Sequence, residues 1–145
     1  MSEGRHPSEG WEQTVTLFRQ NALVQTLGIE MVEANAVGIK LTMQTSKQAT
    51  QPYDVIESGT ILAFAQIAAG MHACWDIDLA KQRPVSMEVS GTQLGGAGQT
   101  SLRAEGCVIR RGRNFIVHQV DVYKKDGDTQ IYTARVTNYL EPVSG

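Results

Sequence analysis

Glu57-Ser58-Gly59-Thr60-Ile61-Leu62-Ala63-Phe64-Ala65-Gln66-Ile67-Ala68-Ala69-Gly70 is the stretch on which the fold turns. It opens from a polar loop that begins at Gln51-Pro52 and runs on to Trp75. Between Ile61 and Ala73 only Gln66 and His72 carry polar side chains. A helix over this stretch would be apolar nearly all round, and such helices are buried rather than surface-lying. Gln66, an amide in its middle, then needs either a hydrogen-bond partner or a chemical role. The small residues Ala63, Ala65, Ala68, Ala69 and Gly70 would let the helix backbone approach a sheet closely.

Outward from this helix the periodicity changes to two. On the N-terminal side, Ile29 and Met31, then Ile39, Leu41 and Met43, alternate with polar residues around a turn at Asn35 to Gly38, which is a hairpin pattern. On the C-terminal side, strands are expected at about 83–92, 100–111, 114–124 and 129–141. Their joints carry turn residues: Gly95-Gly96-Ala97-Gly98, Arg111-Gly112-Arg113 and Lys125-Asp126-Gly127-Asp128. Before the first hairpin, Trp11, Val15, Phe18 and Ala22 are spaced for one face of an amphipathic helix over about 11–21. The order helix, two strands, long apolar helix, four strands predicts an α+β domain, with a curved, mostly antiparallel sheet wrapped around a long central helix. Residues 1–10 read as a flexible N-terminal tail and 11–145 as a single domain.

Bulk properties narrow the function classes. A chain of 145 residues can bury roughly two-thirds of its unfolded surface around one core. Its 13 basic and 15 acidic residues give a net charge of −2, which draws it toward neither nucleic acid nor an anionic membrane. No apolar run approaches the ~20 residues of a membrane span, and the N-terminus lacks the apolar core of a secretory signal. A cytoplasmic location is expected. Cys74 and Cys107 sit in apolar surroundings far apart in sequence, which suits reduced core thiols rather than a disulfide framework. The two cysteines and three histidines make no metal-ligand spacing, so no metal is expected.

Several segments together resemble the hotdog-fold acyl-CoA thioesterases, in particular the branch containing phenylacetyl-CoA and 4-hydroxybenzoyl-CoA thioesterases. These are Leu27-Gly28-Ile29-Glu30-Met31-Val32, the loop and helix from Gln51 to Gly70, the hairpin Val108 to Asn114, and the closing strands around Val120 to Gly127 and Ala134 to Thr137. In that family His-Gly-Gly leads into the helix, and a catalytic Asp or Glu lies nine residues after the His. Here Glu57 stands at the His position, Ser58 and Gly59 at the Gly positions, and Gln66 at the carboxylate position. Gln51 matches the amide the family often carries six residues before the His.

Each candidate has two readings. Gln66 has no usable pKa and can orient groups only by hydrogen bonds, as a site residue or as a core amide bonded to a neighbouring loop or subunit. The N–H groups of Ser58 and Gly59 would sit at a helix N-terminus, where free donors and the helix dipole favour a developing oxyanion. Glu57 is either a cap held by that dipole or the base that activates water; Asp54 is a weaker candidate for the same role. Arg110, Arg111, Gly112, Arg113 and Asn114 form a basic turn, either a solvated loop or, as the resemblance implies, the place that holds the phosphates of coenzyme A. His118 shares parity with Ile116, Val120 and Val122 and reads as a core histidine, and His72 lies off the face of Gln66. Phe64, Met71, Trp75 and Met87 could line a pocket or a core.

The resemblance implies a thioesterase acting on an acyl- or aryl-CoA at a site shared between subunits of a homodimer or homotetramer, with coenzyme A entering only as part of the substrate. The alternative is a protein of the same fold that holds an acyl-CoA or related ligand without hydrolysing it. A dehydratase on this fold would also need a histidine and an acid at the helix, and this chain has neither there.

Overall fold

The computed structural model describes residues 10–44, 56–98 and 101–144. Gln51, Asp54, His6 and most of the expected N-terminal tail lie outside the described residues.

The first helix, α1, spans Trp11–Gln20 and buries Trp11, Thr14 and Phe18. Asn21 then leaves helical geometry, with φ −67° and ψ 127°, and its Oδ1 accepts a hydrogen bond from the Val24 N–H at 3.1 Å. That cap starts a second short helix, α2, Ala22–Leu27, beyond the single helix expected over about 11–21. As a result Ala22, expected on the buried face, is exposed, and Val24 and Leu27 are buried instead. Gly28 closes α2 at φ +63°, a left-handed cap that favours glycine.

β1 (Ile29–Ala34) and β2 (Gly38–Met43) form the expected hairpin. Its turn is held by Asn35 Oδ1, which accepts from the Val37 and Gly38 N–H groups at 2.9 and 3.0 Å. The apolar helix is α3, Ser58–His72, followed by β3 (Gln82–Gln93), β4 (Leu102–Arg111), β5 (Phe115–Lys124) and β6 (Gln130–Pro142). All six strands join one antiparallel sheet in the order β1-β2-β4-β5-β6-β3.

The sheet curls around α3, which packs against β2 through β6. Ile61, Phe64, Ala65, Ala68 and Ala69 are fully buried against inward residues such as Leu41, Leu102, Val120 and Val136. Alanine at three of those helix positions keeps the backbone near the sheet, while Phe64 fills the centre. Burial along β5 alternates as Ile116, His118, Val120 and Val122, the parity expected from sequence.

Candidate active site

Glu57 is the residue preceding α3; its carbonyl accepts from the Thr60 and Ile61 N–H groups at 3.0 and 3.2 Å, but its side chain makes no capping bond and is exposed. Glu57 thus occupies the N-cap position without a hydrogen-bonded side-chain cap. Among the described residues, the N–H groups of Ser58 and Gly59 have no partner, and they stand at the positive end of a 15-residue helix. Among the described residues, a Cβ built on Gly59 would meet nothing within 4 Å.

Gln66 is not a buried amide. It is exposed and makes no hydrogen bond among the described residues, which overturns the expectation of a core amide bonded to a loop of its own chain. The physical reason lies in one stripe of α3. Gly59, Ala63, Gln66 and Gly70 recur at spacings of three and four on the side turned away from the sheet, and none of the four is buried. Gln66 lies on the same helical face as Gly59, about 10 Å further along the axis. Glu57 and Gln66 are nine residues apart, about 13 Å along that axis, so the two side chains of one chain do not meet at one atom.

At the other end of α3 the side chains form a closed polar network. His72 Nε2 lies 2.7 Å from the Asn35 carbonyl oxygen, and His72 Nδ1 lies 2.8 Å from His118 Nε2. A carbonyl only accepts, so His72 Nε2 carries the proton, its Nδ1 accepts, and His118 Nε2 donates. Both histidines are fully buried. Burial, reinforced by the neighbouring His72 and Arg111, pushes His118 down to about 3, and burial also lowers His72 despite its bond to Asn35. The pair is neutral and structural, anchoring the β1–β2 turn to the helix.

The basic hairpin is split. The pairing of β4 with β5 shifts register between Val108 and Arg110, and Arg111 pairs with the inward Ile116. Arg111 Nη1 then reaches Asp76 Oδ1 at 2.7 Å, both side chains being less than one-fifth exposed, while Arg110, Arg113 and Asn114 stay exposed. The Gly112 N–H donates to the Phe115 carbonyl at 2.8 Å to close the hairpin. Since Asp76 lies just beyond the C-terminal end of α3, the arginines and the open N-terminus of one chain stand at opposite ends of a helix about 20 Å long.

A cavity of about 370 Å³ opens between α1, α2 and the outer side of α3, lined by residues including Thr14, Leu17, Phe18, Val24, Ile67, Gly70 and Met71. Sequence reasoning missed it, because the turn at Asn21 that brings Val24 over Met71 was not foreseen. Of the residues expected to line a pocket or a core, Phe64, Met71 and Trp75 are buried in the core, Met71 also borders this cavity, and Met87 is 67% exposed on β3.

The thiols differ from expectation at one position. Cys74 is buried and its thiol is raised to about 11, mainly by burial. Cys107 is exposed: Leu102, Ala104 and Gly106 take the inward positions of β4, and the alternation turns Cys107 out. No described helix is long and apolar enough to cross a membrane.

No family model matches the chain. Among curated proteins it is similar to "Putative esterase ComA2" of Bacillus subtilis, at 28% identity over 104 residues, covering 72% of this chain and 82% of that one. A "Putative esterase" of Haemophilus influenzae is 26% identical over 117 residues, covering 77% and 84%. Among solved structures, a thioesterase of Haemophilus influenzae superposes with a TM-score of 0.84 at 21% identity, covering 95% of this chain and 94% of that one. The PaaI protein of the Escherichia coli phenylacetic acid degradation operon superposes at 0.78 with 14% identity, covering 94% of each.

Proposed function

This chain has the hotdog fold of the thioesterase superfamily, and from that premise we propose that it is a thioesterase hydrolysing an acyl- or aryl-CoA thioester. The observation that carries the proposal is the entrance of α3, where among the described residues the Ser58 and Gly59 N–H groups have no partner, and Gly59 lies on the helical face that also exposes Gln66.

The chemistry follows from these groups. The thioester carbonyl oxygen accepts from the Ser58 and Gly59 N–H groups, whose fixed dipoles stabilise the negative charge that develops there. Glu57 takes a proton from water as its oxygen bonds to the carbonyl carbon. Collapse of the tetrahedral intermediate breaks the C–S bond, and the leaving sulfur recovers the proton. Gln66 orients the thioester or the water by hydrogen bonds.

Because Glu57 and Gln66 of one chain are about 13 Å apart along the helix, the site pairs the helix entrance of one copy with Gln66 of another, in a homodimer or homotetramer. Arg110 and Arg113, both exposed, bind the phosphates of coenzyme A. Arg111 is held by Asp76 and supports the hairpin. A second reading, a ligand-binding protein without turnover, is favoured by one feature: position 66 holds an amide and not a carboxylate.

Hydrolysis of a panel of acyl-CoAs by the wild type, Glu57→Ala and Gln66→Asp tests both. Wild-type turnover that falls about 100-fold or more in Glu57→Ala supports the hydrolase with Glu57 as base. Coenzyme A binding with no wild-type turnover supports the binding protein. Activity only in Gln66→Asp means that the scaffold is complete and the missing group is the acid.

A further inference from the structure

We infer that the cavity between α1, α2 and α3 is the acyl-binding pocket, and that it takes an unbranched apolar acyl chain of medium length. The inference rests on the acyl-thioester reading above and adds the class of substrate.

Its first support is continuity. Ile67 and Gly70 line the cavity, and they follow Gln66 by one residue and by one turn on the same helix. An acyl group leaving a carbonyl beside Gln66 therefore runs along the outer side of α3 into this space without crossing the core.

The second support is chemical. The lining is mostly aliphatic and aromatic, with Leu17, Phe18, Val24, Ile67 and Met71. Several polar lining atoms already have partners within the chain: Thr14 Oγ1 donates to the Gly10 carbonyl at 3.0 Å, Asn21 Oδ1 accepts from the Val24 N–H, and Cys74 Sγ lies 3.6 Å from the Gly70 carbonyl. Among the described residues, no charged side chain borders the cavity. A polar or ionised acyl group would lose its hydration there with little in return, whereas an alkyl chain loses none it benefits from.

Size sets the length. At about 30 Å³ per water-sized group, a cavity of about 370 Å³ holds on the order of ten carbons. Each methylene taken from water into it tightens binding about fourfold, until the pocket is full.

Gly70 offers the discriminating substitution. A Cβ built there meets nothing within 4 Å, so a side chain at this position projects into open space without displacing the fold. Non-hydrolysable alkyl-CoA thioethers from ethyl to dodecyl, titrated calorimetrically against the wild type, Gly70→Ala and Gly70→Leu, test the pocket independently of turnover. Affinity that climbs with chain length to a plateau, with the ratio of decyl to ethyl affinity falling modestly in Gly70→Ala and tenfold or more in Gly70→Leu, is the expected result. The same pattern without hydrolysis of any acyl-CoA upholds the pocket and overturns the hydrolase reading. Hydrolysis with the same chain-length preference in all three proteins upholds the hydrolase and overturns the pocket. Affinity independent of chain length in the wild type, or a Gly70→Leu protein altered only in its oligomeric state, also overturns it.

Discussion

His72 Nδ1 lies 2.8 Å from His118 Nε2 in the dry interior of the sheet, and the carbonyl of Asn35 on the far side of His72 fixes which ring nitrogen of each histidine carries the proton. The network ties three separate pieces of chain together: the β1–β2 turn, the end of α3 and the middle of β5. It also makes stability depend on pH. In the unfolded chain both histidines titrate near 6.5, whereas in the folded protein His118 is held down to about 3 and His72 is also lowered. Above pH 6.5 both states are neutral and no penalty exists. As pH falls below 6.5 the unfolded state gains protons first, so stability is lost at up to about 1.4 kcal/mol per pH unit for each histidine, until the folded-state value is reached. Denaturant unfolding at a series of pH values from 7.5 to 4 checks this. A His118→Leu protein should start less stable and lose less on acidification; an unchanged acid slope in that variant would count against the network as the source.

The two thiols should separate cleanly in reactivity. Exposed Cys107 reacts with a disulfide reagent within the mixing period, while Cys74, buried and raised to about 11, stays protected until the protein unfolds. Titration should release one equivalent in buffer and a second in denaturant, and Cys107→Ser should abolish the first. Two fast equivalents would contradict the placement of Cys74.

Breaking the Arg111–Asp76 pair should loosen the β4–β5 hairpin from the end of α3. With both side chains largely shielded, Arg111→Ala is expected to cost about 2 kcal/mol. A double-mutant cycle with Asp76→Ala should give a coupling of about 1 kcal/mol or more. Coupling near zero would show that the contact carries no energy.

Gly38 opens β2 where it crosses β4, and a Cβ there would run into the Gly106 carbonyl oxygen. Neither backbone can give way without breaking the pairing of Gly38 with Cys107 and Ile39 with Gly106. Gly38→Ala should therefore destabilise by about 1–3 kcal/mol, read as a lower denaturation midpoint at constant slope. A midpoint equal to that of the wild type would mean that the strands can separate locally at no cost.

Much of this architecture was legible in the residues. The alternation through Ile39, Leu41 and Met43 and through Ile116, His118, Val120 and Val122 marks strands with one buried face, because side chains on a pleated strand point to opposite sides in turn. The apolar run from Ile61 to Ala69 marks a helix with little contact with water on most of its surface. The start of that helix at Ser58 and Gly59 was equally readable, and every helix begins with N–H groups that lack a partner within it.

The misreadings have a common origin. Gln66 was expected inside because its neighbours are apolar, yet small residues such as Gly59, Ala63 and Gly70 say nothing about whether anything covers their side of the helix. Arg111 was grouped with Arg110 and Arg113 because they adjoin in sequence, but the register shift after Val108 turns it toward Asp76. A one-residue shift sends a strand's side chain to the opposite face. The cavity beside Met71 depends on Asn21 ending one helix and capping the next, so that two short helices lie over α3 where one was expected.

The sequence by itself determined the elements of this protein and their order, because helix and strand periodicity are set by residues a few positions apart. Only the tertiary structure decided which side of α3 the sheet leaves uncovered, which arginine is bound to Asp76, and where an apolar chain could lie. Those outcomes depend on groups distant in sequence that come within a few ångströms only when the sheet closes around its helix.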